Sequence, residues 1–152
     1  MGLLSLAVAN TIITEALSKA RELDLEPMTV VVLDAGGAPK AMAREDGTGF
    51  LRYDLALAKA WGAIGMGWPS SEIQRRAELK PTFIGQLTTV SDGRLVANLG
   101  GVLIIDNGEV IGGVGVTGDT GENDQLIAEW GISQAGLSPD SVAEPRVRPS
   151  AL

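Results

Sequence analysis

The 152-residue sequence has no cysteine and no histidine, and these two absences remove much of the familiar chemistry of protein sites. Without Cys there is no disulfide, no thiolate nucleophile and no sulfur-ligated zinc. Without His the usual imidazole base, the usual zinc ligand and the usual proximal haem ligand are missing as well. Acid–base work is left to Asp, Glu, Lys or Tyr, and a metal would need oxygen ligands; no metal site is expected. Basic residues are also few: 12 Lys and Arg against 19 Asp and Glu give a net charge of −7. A phosphate backbone wants a basic face, so nucleic acid is not the expected partner. No apolar run reaches about 18 residues, so no membrane partner is expected either. The opening Met1-Gly2-Leu3-Leu4-Ser5-Leu6 lacks a basic region ahead of its apolar residues, which argues against a secretory signal and makes a cytoplasmic location the expectation.

What is present is a chain of ordinary globular composition, 45% hydrophobic and 20% charged, long enough for one domain with a real core. Leu6, Ala9, Ile13, Ala16, Ala20 and Leu23 recur at helical spacing and predict a first helix ending before Pro27. Met28–Leu33 and Pro39–Ala43 flank an Asp34–Ala38 turn and read as two strands. Phe50–Gly65 reads as a helix of unusually small residues, among them Ala56, Ala60, Gly62 and Gly65. Each Gly there costs about 1 kcal/mol relative to Ala, a cost that close packing against a sheet, a partner subunit or a flat ligand would offset. A short helix follows from Ser70 and closes at Pro81, with Arg75, Arg76, Glu78 and Lys80 as a solvated face. Thr82–Gly93 reads as a loop ending in a turn, and Leu95–Leu99 as a short strand.

The most informative stretch is Ile105–Asp124. Asn107-Gly108 between two apolar runs signals a tight type I′ hairpin. Gly112, Gly113 and Gly115 strip one strand of side chains and invite close approach by a backbone or ligand. An acidic loop then opens a last helix over Asn123–Leu137, whose stripe is read as Leu126, Trp130 and Leu137 with Ile127, Gly131 and Ala135 beside it. The order of elements, α-ββ-α-α-ββ(β)-α, predicts an α+β domain with one antiparallel sheet and helices on its faces, spanning residues 1–137. Residues 138–152, proline-bearing and aperiodic, form a tail that is flexible or lies on a partner.

The Thr117–Asp124 loop is the leading candidate site. With Asp119 or Thr120 as N-cap, Glu122 and Asp124 suit the helix dipole as structural residues. Alternatively, Thr117, Gly118 and Thr120 present donors to an anion, with Glu122 or Asp124 as a base or metal ligand. Lys59, in the small-residue helix, either snorkels to solvent or pairs with a ligand carboxylate or with Asp124. Arg52, two turns earlier, would extend such an anion site. Arg44 and Asp46 form a surface ion pair or the rim of a pocket.

These segments resemble the GlcG and HbpS-like proteins, the haem-degrading domain family, whose relatives include the C-terminal domain of some cobalamin adenosyltransferases. The resemblance rests on Val30–Gly37, Arg44–Gly47, Leu55–Ala60, Pro81–Gly85, Gly100–Ile104 and Gly112–Asp124, in that order along roughly residues 5 to 137. It implies a profilin-like sandwich, homo-oligomers with pockets near subunit interfaces, and ligands of haem or small-acid type. If haem is the cofactor, the axial ligand here has to be Met, Tyr, Lys, a hydroxyl or a carboxylate. Tyr53 is the only tyrosine, and Met28, Met42 and Met66 read as core. Three functions follow as expectations. The first is an oligomeric protein binding a small anionic or tetrapyrrole ligand at a subunit-interface pocket. The second is an enzyme doing lyase, hydratase or isomerase chemistry on a small organic acid through Glu122 or Asp124, with Lys59 or Arg44 holding the substrate. The third is a structural or regulatory oligomer.

Overall fold

A computed structural model describes residues 3–141. The elements are α1 (Leu6–Glu22), β1 (Thr29–Asp34), β2 (Pro39–Arg44), α2 (Leu51–Met66), α3 (Ser70–Leu79), α4 (Pro81–Val90), β3 (Gly101–Asp106), β4 (Glu109–Thr117), α5 (Gly121–Gln134) and β5 (Ser138–Asp140). The strands make one five-stranded antiparallel sheet in the order β2-β1-β4-β3-β5. The expected α+β class is therefore what the chain adopts.

Alternation along the strands sorts the core into two layers. Val30, Val32, Val102, Ile104, Val114 and Val116 point to one face and bury against Ile12, Ala16, Ile127 and Ile132 of α1 and α5. Val31 and Leu33 point to the other face and meet Ala56 and Ala60 of α2. α1 starts where the Ser5 hydroxyl accepts from the Val8 N–H at 3.1 Å. The β3–β4 turn is the expected tight one, with Asn107 at φ 50° and Gly108 at φ 81°.

The small residues of α2 and the glycines of β4 answer each other. A Cβ on Gly113 would stand 2.9 Å from Ile64 Cγ1, and one on Gly115 would collide with the Ala56 carbonyl oxygen. Helix backbone thus lies directly on strand backbone, which is what the cost of glycine and alanine in these elements secures. The contact is with the chain's own sheet.

Several local expectations are corrected. Thr82–Val90 is helix, not loop: Pro81 opens α4 rather than merely closing α3, because its fixed φ suits a first helical turn where no N–H is needed. Leu95–Leu99 is not a strand; Leu95 drops between Trp68, Ile73 and Ile84 as the plug of a small third cluster. The buried stripe of α5 is Asp124, Ile127, Ala128, Gly131 and Ile132, while Leu126 is exposed. Gly131 is what lets α5 cross α1, since a Cβ there would be 2.5 Å from the Ile12 carbonyl oxygen. The segment expected as a tail begins with three residues that belong to the sheet: Ser138, Pro139 and Asp140 pair with Ile105, Ile104 and Leu103. Residues 142–152 of that segment lie outside the described residues.

Gly115→Ala should therefore separate α2 from β4 and cost roughly 1–3 kcal/mol or more by overpacking. Thermal unfolding followed by circular dichroism checks this; an unchanged midpoint would mean the two backbones are not in contact.

Candidate functional site

The site is built where β1, β2 and β4 end beside the first turns of α2. Thr29 is opposite Arg44 of β2 on one side and Thr117 of β4 on the other. Residues directly opposite in antiparallel strands share a face, so Arg44, Thr29 and Thr117 form one row, on the side of the sheet that carries α2. Arg52 reaches down from α2 and donates to the Thr117 hydroxyl at 3.1 Å. Among the described residues no carboxylate pairs with Arg52 or with Arg44. Arg44 donates instead to the Thr48 carbonyl at 2.6 Å, so the expected Arg44–Asp46 ion pair does not form. The Thr29 hydroxyl, fully buried, has no hydrogen-bond partner; among the described residues it is one of two such buried side-chain oxygens, the other being Gln125 Oε1. Such an orphan requires an explanation, because burying an unpaired polar group costs about 1–3 kcal/mol.

Beside this row an open groove of about 420 Å³ is lined by Arg21, Pro27, Arg44, Glu45 and Asp46. Asp46 is thus on a pocket rim. Glu45 is held in place by the Met28 N–H at 2.8 Å and by Arg21 at 3.1 Å.

Lys59 lies two turns beyond Arg52 on the same face of α2, and its side chain is sealed rather than snorkelling. Its ammonium donates to the Val116 carbonyl at 2.9 Å and to Asp124 Oδ2 at 3.1 Å, with both side chains only 2% exposed. Burial drives the Lys59 pKa down and the Asp124 pKa up. Each opposes the shift in the other, and the nearby Arg52 adds to the lowering at Lys59. The other carboxylate oxygen of Asp124 accepts from the Asp119 N–H at 2.9 Å. One ion pair therefore joins α2, the end of β4 and the start of α5.

The β4–α5 loop is fixed by Asp119, expected only as an alternative N-cap to Thr120. Its Oδ2 accepts from the Glu26 N–H at 3.0 Å, and its Oδ1 accepts from the Thr120 N–H and the Asn123 side chain, each at 2.8 Å. The Glu26 contact leads the set that holds its carboxyl below the ordinary range. Thr120 is the N-cap of α5, its hydroxyl accepting from the Asn123 N–H at 3.2 Å. Gly118 is packed beneath Pro27 and Met28, where a Cβ would stand 2.7 Å from the Met28 sulfur. Glu122 points to solvent, apart from Lys59. The structure thus brings Arg44, Arg52, Thr117, Lys59 and Asp124 into one region, with Gly118 and Thr120 in its loop, and leaves Glu122 outside it.

Of the charged face expected over Arg75–Lys80, Glu78 and Lys80 are exposed, but Arg75 and Arg76 turn inward to a buried partner. Glu72 of α3 is buried and takes Arg75 in a fork at 2.9 and 2.7 Å, while Arg76 donates to the same carboxylate at 2.9 Å. Arg76 also lies over the Trp68 ring at 3.9 Å. Spacing of three and four from Glu72 was the legible signal; that the carboxylate faces inward was not.

Known proteins agree with this architecture. The family model described as haem degrading protein HbpS-like matches residues 4–133, and the chain belongs to that family. An uncharacterised 15.0 kDa protein of the dhaT–dhaS intergenic region of Citrobacter freundii is 34% identical over 129 residues, covering 85% of this chain and 89% of that protein. The corrinoid adenosyltransferase PduO of the same organism is 29% identical over 118 residues; the match takes 78% of this chain but only 35% of the adenosyltransferase. Among solved structures, a PduOC–haem complex superposes with a TM-score of 0.83 at 26% identity, over 92% of this chain and all of that one (100%). HbpS of Streptomyces reticuli, solved as a double mutant, gives 0.75 at 27% identity over 88% and 87%.

Two outcomes follow from the ion clusters. Lys59→Met or Asp124→Leu alone should cost roughly 3–5 kcal/mol by stranding a buried charge, and the double substitution should regain most of that loss. Denaturant unfolding of the three variants decides it, and a double variant no better than either single would remove the pairing from the account. The arginine fork holds Glu72 below its ordinary pKa of 4.5, so its contribution to stability is in place above that pH and lost as the pH falls through the lowered folded value. Glu72→Gln should flatten the acid limb of the stability–pH curve; an unaltered limb would show that the cluster is not coupled to folding.

Proposed function

We propose that this protein is an oligomeric binding protein for a small carboxylate-bearing ligand of tetrapyrrole type. The ligand's acid group sits on Arg52, at the open end of the Arg44–Thr29–Thr117 row. The observation that carries this reading is Arg52: a half-buried guanidinium held by one hydroxyl and no carboxylate, next to the orphaned Thr29 hydroxyl. A ligand carboxylate would accept from the Arg52 guanidinium in bidentate fashion, with the exposed Arg44 beside it, while the buried Thr117 hydroxyl holds Arg52 in place from beneath. The fixed N-terminus of α5 adds its partial positive charge alongside. The haem seen with PduOC belongs to the same ligand class.

The residues fit the acidic arms of a haem better than its iron. The chain holds no His or Cys, Met28 is packed under Gly118, and the half-buried Tyr53 is one residue beyond Arg52. The acid arms are therefore what this site would grip, and no step is assigned to the metal. Lys59 and Asp124 act by position: sealed from solvent, they hold the end of β4 and the loop in register rather than exchange protons with a ligand. This favours binding over the lyase, hydratase or isomerase reading.

A second copy of the chain would complete the pocket. Met42, expected in the core, instead shares the exposed face of β2 with Arg44, and Phe50 and Leu51 lead into Arg52; all three are exposed, Phe50 at 83%. An apolar rim around a cationic row is the composition expected where two subunits enclose a ligand.

Haemin titration into the full chain, read in the Soret region, tests the proposal. A saturable shift is expected, weakened roughly tenfold or more in Arg52→Gln, as fits loss of a charge-assisted contact. No saturable shift with haemin, or a shift that Arg52→Gln leaves unchanged, would overturn it.

A further inference from the structure

α3 and α4 enclose a second groove, away from the Arg52 row, of about 320 Å³ and lined by Arg75, Arg76, Leu79, Lys80 and Phe83. Its size lies at the lower end of small-ligand pockets, roughly 300–1,000 Å³. Its two halves differ in chemistry. Leu79, 67% exposed, and the half-buried Phe83 offer apolar surface, while three cations border the same space.

The cations are more available than a count of ion pairs suggests. Glu72 is buried behind the groove and is the only carboxylate among the described residues that pairs with Arg75 or Arg76. Arg75 spends Nε and one terminal nitrogen on it, and Arg76 spends Nε. Among the described residues, the remaining guanidinium N–H groups of both have no hydrogen-bond partner and Lys80 has no ion pair. Glu72 and the Trp68 ring hold the two guanidinium planes still, so an incoming anion would meet preset donors rather than order two free side chains. On a chain of net charge −7, a local surplus of positive charge beside an apolar wall is a specific feature.

We propose that this α3–α4 groove is a second ligand site that takes a small amphipathic carboxylate, its acid on Arg75 and Lys80 and its apolar body along Leu79 and Phe83. Nothing in the reading of the Arg52 row is needed for it.

The test is calorimetric titration of the full chain with decanoate and, in parallel, with decanol. Decanoate should bind at one per chain, about tenfold more tightly than decanol, because only the acid gains charge-assisted hydrogen bonds. Rising salt should weaken decanoate and spare decanol. Lys80→Glu and Leu79→Asp both alter exposed side chains and should leave the thermal midpoint in place. Each should weaken decanoate about threefold or more, while Arg52→Gln leaves it unchanged. Equal affinity for decanoate and decanol would overturn the proposal, as would binding that Lys80→Glu and Leu79→Asp do not touch, or binding lost in Arg52→Gln.

Discussion

The Lys59–Asp124 ion pair is the interaction on which the arrangement of this domain turns. It is buried where helix backbone lies on strand backbone, a place with no room for water and little for side chains. Two charges in such surroundings persist only when their geometry is good and their remaining valences are met. Here the ammonium is shared with the Val116 carbonyl and the carboxylate with the Asp119 N–H. The small residues of α2 and β4 let the two elements approach closely enough for Lys59 to reach across, and the pair fixes where that approach occurs. The loop that follows β4, and with it Thr117, is a product of the same constraint.

Much of this was readable in the chain itself. Asn107-Gly108, the β-branched run over Met28–Leu33 and the run of small residues each carry a local signal strong enough to predict the hairpin, a strand and the tight helix. The Lys59–Asp124 pair was legible only as one alternative beside a snorkelling lysine or one that holds a ligand carboxylate, because a lysine in so small a helix needs an explanation. Less legible were features decided by tertiary packing. Thr82–Val90 carries threonines and a glycine that favour other conformations, and becomes helix because Phe83, Ile84 and Leu87 find a third cluster to cover. Ser138–Asp140 has no strand pattern of its own and is recruited by the exposed edge of β3. Glu72 looks like one of many surface carboxylates until its burial is known.

The proposed binding row was half visible. Arg44, Arg52 and Thr117 stood out by charge and by their loops, but Thr29 did not, since a threonine at the start of a strand is unremarkable in sequence. Only strand register puts it between the other two. The two arginine sites also differ in kind. Arg52 is a cation waiting for a counter-charge, whereas Arg75 and Arg76 already share one and keep donors in reserve. An acidic protein thus places five of its 12 basic residues at two spots where apolar surface is close by.

The placement of α4 has a consequence for how the molecule opens. Its extensive helix contacts are with α3, it adds nothing to either layer over the sheet, and it is joined to α3 through Lys80 in an extended, non-helical conformation. Amides of α4 should therefore exchange with solvent through a local opening far less costly than global unfolding, while those of β1 and β4 await the loss of the whole fold. The domain is in this sense two cooperative units of unequal strength: a sheet with α1, α2 and α5 locked by glycine contacts and a buried charge, and an α4 appendage free to breathe on its own timescale.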